Sequence, residues 1–146
     1  FVLAAVLRGL LVGAVMWGVA GAFSGFEVAH PLLALALVVL AAVAFSALGL
    51  ATTALVPNAD AAPAVVNAII LPLLFLSGIF IPLEGAPQWM IVFGDIFPVK
   101  HFAEAMLGSF YGPPLQFEWV DVLVVAAWGV VGLAVAIRFF SWEPRR

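Results

Sequence analysis

The chain has 146 residues, of which 66% are hydrophobic and 9% are charged. Ordinary soluble domains carry about 45–50% apolar and about 25% charged residues, so this composition excludes a soluble globular domain. The net charge of −3 is small and of the wrong sign for a nucleic-acid-binding surface, so we expect no nucleic-acid partner. The absence of cysteine excludes disulfides, thiolate metal sites and a cysteine nucleophile.

Charged residues are rare enough to leave four long apolar segments between them. A helix needs about 20 apolar residues to cross the hydrocarbon core of a bilayer. Unpaired backbone amides are costly in lipid, and continuous apolarity without alternation favours helices over a closed barrel. We therefore predict an all-α membrane protein with four transmembrane helices, at about residues 9–26, 32–56, 62–83 and 119–140.

The first segment opens with an apolar stretch at 1–7, followed by Arg8. Because the stretch has neither an initiator Met nor the features of a signal peptide, we interpret the chain as a fragment of a longer membrane protein. Arg8 either marks the membrane edge or lies inside the bilayer, where a charged residue is a functional candidate by default. Gly9 and Gly13 then have the small-residue spacing that lets transmembrane helices pack closely.

An outer segment at about 84–118 separates the last two predicted spans and contains two short apolar stretches. The first lies at 89–93, and the second begins at Pro98, a residue suited to the first turn of a helix. The second stretch has apolar residues at helical spacing, Val99, Phe102, Ala103, Met106 and Phe110. Lys100 and Glu104 form an i,i+4 pair on its opposite face. We predict two short re-entrant or interfacial helices on the outer side, with a small cap packed on the bundle as the alternative.

The carboxylates of the outer segment, Glu84, Asp95 and Glu104, invite an acid/base role. No nucleophile or metal cluster accompanies them, and a loop in water gives little reason for a shifted pKa. Glu27 and His30 have a spacing compatible with a metal pair, but no third ligand is evident. We therefore expect no catalytic residue, no metal and no cofactor in this chain.

Basic residues near the predicted spans fall mostly on one side of a four-span zigzag, at Arg8, Arg138, Arg145 and Arg146. Only Lys100 falls on the other side. Lys and Arg are enriched in cytoplasmic loops, so we expect a multi-pass protein of the cell membrane with both ends of this stretch in the cytoplasm.

Three sequence features occur in a fixed order in the second half of the chain. They are LPLLFLSGIFIPLE at 71–84, APQW at 86–89 and FP at 97–98. This series closely resembles the C-terminal signature of ABC-2 type transport permeases, including the daunorubicin-resistance type of drug exporter. The resemblance covers nearly the whole chain, from the third to the sixth helix of a six-helix subunit. The chain departs from the family at Phe97, where Asn is frequent, and at 106–107, where an Arg is frequent.

The resemblance implies an exporter in which two permease subunits, identical or different, pair with cytoplasmic ATP-hydrolysing cassettes. The substrate would be amphipathic or hydrophobic, such as a drug, a lipid or a lipid-linked glycan. ATP and Mg²⁺ would bind in the cassette, because this chain has no phosphate-binding loop. Besides the cassette and the second permease copy, membrane lipid is an expected partner. The main cassette-docking helix should precede Phe1. A different class of function also fits, a non-transporting membrane anchor or assembly module that binds a partner protein.

Three sets of residues are candidates for these roles. The candidate substrate path comprises Asn67, Phe75, Ser77, Gly78, Phe80 and Glu84; the candidate cassette contact comprises Pro57, Asn58 and Asp60; the re-entrant helix carries Pro98, Lys100 and Glu104. Asn67 is strongly polar and well inside a span, so it either bonds to another helix or contacts substrate. Pro57, Asn58 and Asp60 also suit an ordinary tight turn.

Overall fold

The computed structural model describes residues 2–24, 29–78, 85–111 and 118–139, and these residues form helices and connecting turns without a strand. The helices are α1 (Val2–Ser24), α2 (Pro31–Thr52), α3 (Ala62–Leu76), α4 (Gln88–Ile96), α5 (Pro98–Tyr111) and α6 (Trp119–Phe139). Two short 3₁₀ turns, Thr53–Leu55 and Ala59–Ala61, connect α2 to α3. The predicted all-α class is confirmed.

Three helical segments of the described residues are long and apolar enough to cross a membrane. They are Pro31–Leu55, Ala59–Leu76 and Trp119–Phe139, and each overlaps one predicted span. Residues 79–83 of the predicted third span lie outside the described residues. The first predicted span, at 9–26, falls largely on α1, which is not among these three segments. A fourth crossing and the insertion of α4 and α5 into the bilayer therefore stay predictions.

Arg8 lies within α1, which is continuous from Val2, and its side chain is exposed. The helix therefore begins before Arg8. At about 1.5 Å per residue, its 23 residues extend over roughly 35 Å, slightly more than a hydrocarbon core of about 30 Å. Both interpretations of Arg8, at the membrane edge or inside the bilayer, are compatible with a helix of this length.

The core of the molecule is the contact between α2 and α6, which small residues make possible. The buried residues of α2 are Ala34, Leu37, Ala41, Ala44 and Ala47. In α6, a Cβ on Gly129 would lie 2.9 Å from the Cβ of Ala44, and one on Gly132 would lie 2.8 Å from the backbone N of Leu48. Without side chains at these two positions, the helices approach closely. Because residues 44 and 48 meet residues 129 and 132 in the same order, α2 and α6 run in the same direction.

The helices α4 and α5 form a hairpin that packs along α2 and the first half of α6, with the end of α5 beside the beginning of α2 and the α4–α5 junction beside Trp128 in the middle of α6. The backbone N–H groups of Ala29 and His30 donate to the carbonyls of Phe110 and Ser109, both at 3.0 Å. The end of α3 reaches the same hairpin, since a Cβ on Gly94 would lie 2.6 Å from the carbonyl O of Leu76. The α4–α5 hairpin is therefore fixed to the beginning of α2 and to the end of α3.

The face of α5 that packs against the bundle differs from the apolar stripe that its sequence spacing predicts. The buried residues of α5 are Pro98, His101, Ala105, Gly108 and Ser109. All five residues of the predicted apolar stripe are half-buried. Phe102 does contact α2, where its ring meets Phe45 edge to face at 5.8 Å. Small and polar residues permit the close contact between helices, and the bulkier apolar side chains lie at its border.

Candidate functional site

An apolar cavity of about 500 Å³ lies between α2, α3, α6 and the hairpin. Its lining residues are Phe45, Leu48, Gly49 and Thr52 of α2, Val66, Ile69, Ile70, Leu73 and Leu74 of α3, Phe97, Pro98 and Val99 of the hairpin, and Trp128 of α6. The hydroxyl of Thr52 donates to the carbonyl of Gly49 at 2.7 Å, and the indole N–H of Trp128 donates to the carbonyl of Ile96 at 2.8 Å. Both donor groups are satisfied within the protein, so the cavity offers a ligand mainly apolar contact.

The cavity exists because α3 stands apart from the α2–α6 core. None of the residues of α3 is buried, although the helix is strongly apolar. One face of α3, which includes Ile69, Ile70 and Leu73, lines the cavity at helical spacing. Asn67, at the side of the lining face, and Phe75, opposite it, are exposed.

The predicted substrate-path residues are therefore divided between different surroundings. Asn67 and Phe75 are not among the residues that line the cavity, and both roles predicted for Asn67, a bond to another helix and contact with substrate, stay predictions. Ser77 is 4% exposed, and its hydroxyl donates to the carbonyl of Leu74 at 2.6 Å. Gly78 follows with φ +76°, a conformation that glycine adopts without strain and that ends α3. Phe80 and Glu84 lie outside the described residues.

A buried polar contact joins α5 to α6. Nδ1 of His101 lies 2.7 Å from Oδ1 of Asp121, and Nε2 of His101 lies 2.8 Å from the backbone carbonyl O of Asp95. His101 is 9% exposed and Asp121 is 7% exposed. A carbonyl oxygen can only accept, so Nε2 carries a proton and donates it to Asp95. The imidazole ring thus connects the end of α4 to the first turn of α6.

The surroundings of His101 favour its charged form. Burial of the ring lowers the pKa of His101, but the hydrogen bonds to Asp121 and to the Asp95 carbonyl outweigh burial and raise that pKa above its ordinary value. In the charged form of the ring, Nδ1–H donates to the Asp121 carboxylate. Neither partner of this buried pair is left unsatisfied.

The expectation that the outer carboxylates have ordinary pKa values is wrong for Glu104. Burial raises the pKa of Glu104, and the negative charges of Asp121 and Asp95 add to this effect, while the positive charge of Lys100 opposes it. Lys100 forms the predicted i,i+4 pair with Glu104, with 3.7 Å between Nζ and Oε1, and a second ion pair with Asp95. Packing of α5 against α6 brings these charges together, so they are not dispersed in water as an isolated loop would be.

Trp128 of α6 provides a second connection to the hairpin. Besides its hydrogen bond to Ile96, its ring stacks on that of Phe97 with the centroids 5.6 Å apart. Pro98 begins α5 immediately afterwards, as its position in the sequence predicts. The junction between α4 and α5 is therefore fixed to α6 by one hydrogen bond and one aromatic contact.

The turn between α2 and α3 contains the candidate cassette contact. Pro57, Asn58 and Asp60 are all exposed. Oδ1 of Asn58 accepts a hydrogen bond from the backbone N–H of Ala61 at 2.9 Å and caps the second 3₁₀ turn. Asn58 thus has a structural role in the turn, and a cassette contact at these residues stays a prediction.

The comparison with protein families decides the identity of this helical arrangement. The model of the ABC-2 type transporter family matches residues 1–111. The chain belongs to this family. No curated protein and no solved structure matches the ABC-2 chain. The suspected resemblance to ABC-2 permeases is confirmed at the level of the family.

The family assignment establishes the general role of this ABC-2 permease. It is the membrane component of a transporter rather than an enzyme, and its apolar helices are those of a multi-pass membrane protein. Permeases of the ABC-2 family normally work with an ATP-binding cassette subunit. The cavity beside α3 and the exposed face of α3 are therefore surfaces of a transport protein.

Sequence reasoning missed the His101–Asp121 contact of the ABC-2 permease and the contacts of Trp128 with the hairpin. His101 and Asp121 are twenty residues apart and on different helices, so their contact has no local signature in a single sequence. The i,i+3 spacing of His101 and Glu104 on a helix that begins at Pro98 was the available signal. Trp128 lies in the interior of a predicted span, where an indole N–H needs a partner, and this requirement could have indicated a nearby break in another helix.

Proposed function

We propose that this chain is the permease subunit of an ATP-driven exporter that moves an amphipathic or hydrophobic substrate out of the cytoplasm. The observation that carries the proposal is the cavity of about 500 Å³ beside α3, whose walls are almost entirely apolar. Binding sites for small molecules have volumes of about 300–1,000 Å³ and mostly apolar walls. A drug, a lipid or a lipid-linked glycan would bind such a wall through its apolar part, because the cavity offers few polar groups.

A second permease copy, identical or different, would cover the exposed face of α3. Asn67 and Phe75 lie on this face, so they would line a path between two copies rather than the cavity within one. An amide in lipid is more stable beside another helix or a polar path, which supports a partner at this position. Surrounding membrane lipid would cover the remaining apolar surface.

The distribution of charge supports an orientation with the α4–α5 hairpin outside. Arg138 lies in the last turn of α6, and Asp121 lies in the first turn, beside the hairpin. Basic residues are enriched on the cytoplasmic side, so the end of α6 would face the cytoplasm. The inner turn with Pro57, Asn58 and Asp60 would then face the cassette, which would supply ATP and Mg²⁺.

The test uses the full-length permease, co-purified with its cassette ATPase and reconstituted in lipid. ATP hydrolysis is measured with and without candidate amphipathic substrates. Leu73→Trp places a large side chain into the cavity, and Leu71→Trp makes the same change on the exposed side of α3. We expect Leu73→Trp to abolish stimulation by substrate with basal hydrolysis retained, and Leu71→Trp to retain stimulation.

Asn67→Leu distinguishes two possible roles of Asn67, contact with substrate and contact with a second permease copy. Loss of the substrate response with an intact complex would place Asn67 on the path, whereas loss of permease self-association would place it at the contact between copies. If the permease neither binds the cassette nor changes its hydrolysis, the exporter proposal fails. The outer hairpin would then be tested for protein partners, as an anchor or assembly module requires.

A further inference from the structure

Three side chains with metal-binding atoms converge where α5 meets α6. One ligand atom from each of His101, Glu104 and Asp121 lies within 4.8 Å of the other two. His101 and Glu104 are three residues apart, so α5 projects both toward the same side. Asp121 approaches from the first turn of α6, so the cluster joins two helices.

The imidazole of His101 is oriented as in a metal-binding histidine. Its Nε2–H donates to the backbone carbonyl of Asp95 at 2.8 Å, which fixes the ring and directs Nδ1 toward Asp121. Histidines that bind metals commonly donate their other ring N–H to a backbone carbonyl in this way. The carbonyl belongs to α4, so the ring is held by a helix other than the two that carry the cluster.

We propose that His101, Glu104 and Asp121 form a binding site for a divalent transition-metal ion of the zinc class. One imidazole and two carboxylates suit Zn²⁺ and its neighbours, whereas Mg²⁺ and Ca²⁺ favour oxygen ligands alone. Three protein ligands leave a fourth position for water. The two carboxylate charges match the charge of the ion, and the bound ion would hold α5 against α6.

Small movements would convert the observed cluster into a coordination site. Zinc is bound at about 2.0–2.2 Å by nitrogen and oxygen ligands, so Nδ1 of His101 and Oδ1 of Asp121, now 2.7 Å apart, must separate to admit an ion between them. The side chain of Glu104, which is 49% exposed, would turn from Lys100 toward the ion. Binding displaces the Nδ1 proton of His101, as is usual when metals replace protons on their ligands.

Lys100 competes with the ion for Glu104. Its Nζ lies 3.7 Å from Oε1 of Glu104 and also pairs with Asp95. Because a metal ion and an ammonium group repel each other, removal of the Lys100 charge should strengthen binding. Lys100→Gln is therefore expected to raise the affinity for Zn²⁺ severalfold, an effect opposite to that of removing a ligand.

The experiment measures binding of Zn²⁺ and Co²⁺ to the full-length permease in lipid nanodiscs, after removal of any affinity tag and treatment with a chelator. Calorimetry gives the affinity and stoichiometry for Zn²⁺, and the visible absorption of Co²⁺ reports its coordination. We expect one ion per chain. Glu104→Gln should weaken binding at least tenfold and should remove the increase in thermal unfolding temperature that Zn²⁺ causes in the unsubstituted protein.

Two controls separate coordination from charge and from adventitious binding. Asp95→Asn removes one negative charge near Lys100, as Glu104→Gln does, but keeps the backbone carbonyl that holds His101. The affinity of this variant for Zn²⁺ should stay within threefold of that of the unsubstituted protein. His30→Gln alters an exposed histidine away from the cluster and should have no effect. Glu104 is the main test because its side chain is exposed, and its substitution does not disturb the buried His101–Asp121 pair.

The proposal is overturned if the unsubstituted protein binds neither ion saturably. It is also overturned if Glu104→Gln and Asp95→Asn weaken binding equally, because charge alone would then account for the affinity. If neither Lys100→Gln nor Glu104→Gln changes the affinity, the ion binds elsewhere, and the proposal is again overturned.

Discussion

Gly132 of α6 lies directly against the backbone of Leu48 in α2. A Cβ at position 132 would come within 2.8 Å of the backbone N of Leu48 and within 3.0 Å of the carbonyl carbon of Ala47. Real Cβ atoms do not approach backbone atoms so closely. The separation between the two central helices therefore depends on the absence of a side chain at this position.

Substitution of this glycine should separate α2 from α6. Gly132→Ala adds one methyl group against rigid backbone, and overpacking of this kind costs about 1–3 kcal/mol. Gly49→Ala is the matched control, since a Cβ there meets nothing within 4 Å and Ala is favoured over Gly in a helix by about 0.5–1 kcal/mol. Unfolding in mixed micelles with increasing SDS should show a loss for Gly132→Ala and a small gain for Gly49→Ala. Equal stabilities of the two variants would contradict this packing.

The His101–Asp121 pair should be strongly coupled in a double-mutant cycle. Asp121→Leu leaves the buried imidazole without its carboxylate, and breaking a buried pair from one side costs about 3–5 kcal/mol. The double variant His101→Leu/Asp121→Leu removes both polar groups and should be more stable than Asp121→Leu alone. The measurement is the free energy of unfolding with EDTA present, so that bound metal does not contribute.

A partly exposed ion pair between Lys100, whose side chain is 15% exposed, and Glu104 supplies the comparison for that cycle. Glu104 pairs with Lys100 at 3.7 Å and its side chain is 49% exposed. Exposed pairs contribute about 0–1 kcal/mol, so Glu104→Gln should change the stability little in EDTA. If Asp121→Leu were as mild as Glu104→Gln, the polar contact between α5 and α6 would not be a significant source of stability.

Trp128 should stabilise the hairpin through two separable interactions. Trp128→Phe keeps an aromatic ring against Phe97 but removes the N–H that donates to Ile96, a loss of about 0.5–1.5 kcal/mol. Trp128→Leu removes both interactions and should cost more. Trp89→Phe, on the exposed side of α4, is the control and should have little effect. Hydrogen exchange of the α4–α5 backbone should increase in the order Trp89→Phe, Trp128→Phe, Trp128→Leu, and any other order would contradict the proposed contacts.

The helical architecture could be predicted because long apolar segments and helix-starting prolines are local signals. Pro98 begins α5, and three of the predicted spans overlap long apolar helices. The packing faces could not be predicted in the same way. Gly9 and Gly13 have the expected small-residue spacing, and a Cβ on Gly9 would lie 3.4 Å from Cγ1 of Val38, but one on Gly13 would meet nothing within 4 Å among the described residues. Gly129 and Gly132 make the closer contacts.

The site was harder to predict because its residues come together only in the folded chain. Asn67 was singled out for its polarity, and it lies on the exposed face of α3. The cavity beside α3 arises from the separation of α3 from α2, a tertiary property that helical periodicity does not encode. His101 and Asp121 were separated in the sequence by the end of one helix and the beginning of another, so only their positions in space reveal the pair.

At the turn between α2 and α3, a structural role of Asn58 can be distinguished from contact with the cassette. Asn58→Ala removes the side-chain acceptor that caps the second 3₁₀ turn, and loss of an equivalent helix cap costs about 0.5–2 kcal/mol. Asn58→Asp retains an acceptor and should retain the stability.

Asp60→Lys reverses an exposed charge beside the cap. If the turn contacts the cassette, Asp60→Lys should reduce co-purification of the cassette several-fold while the unfolding curve of the permease stays unchanged. Full association of Asp60→Lys, with a loss of stability confined to Asn58→Ala, would leave this turn a structural feature alone, because Asp60 would then project its charge without meeting a partner.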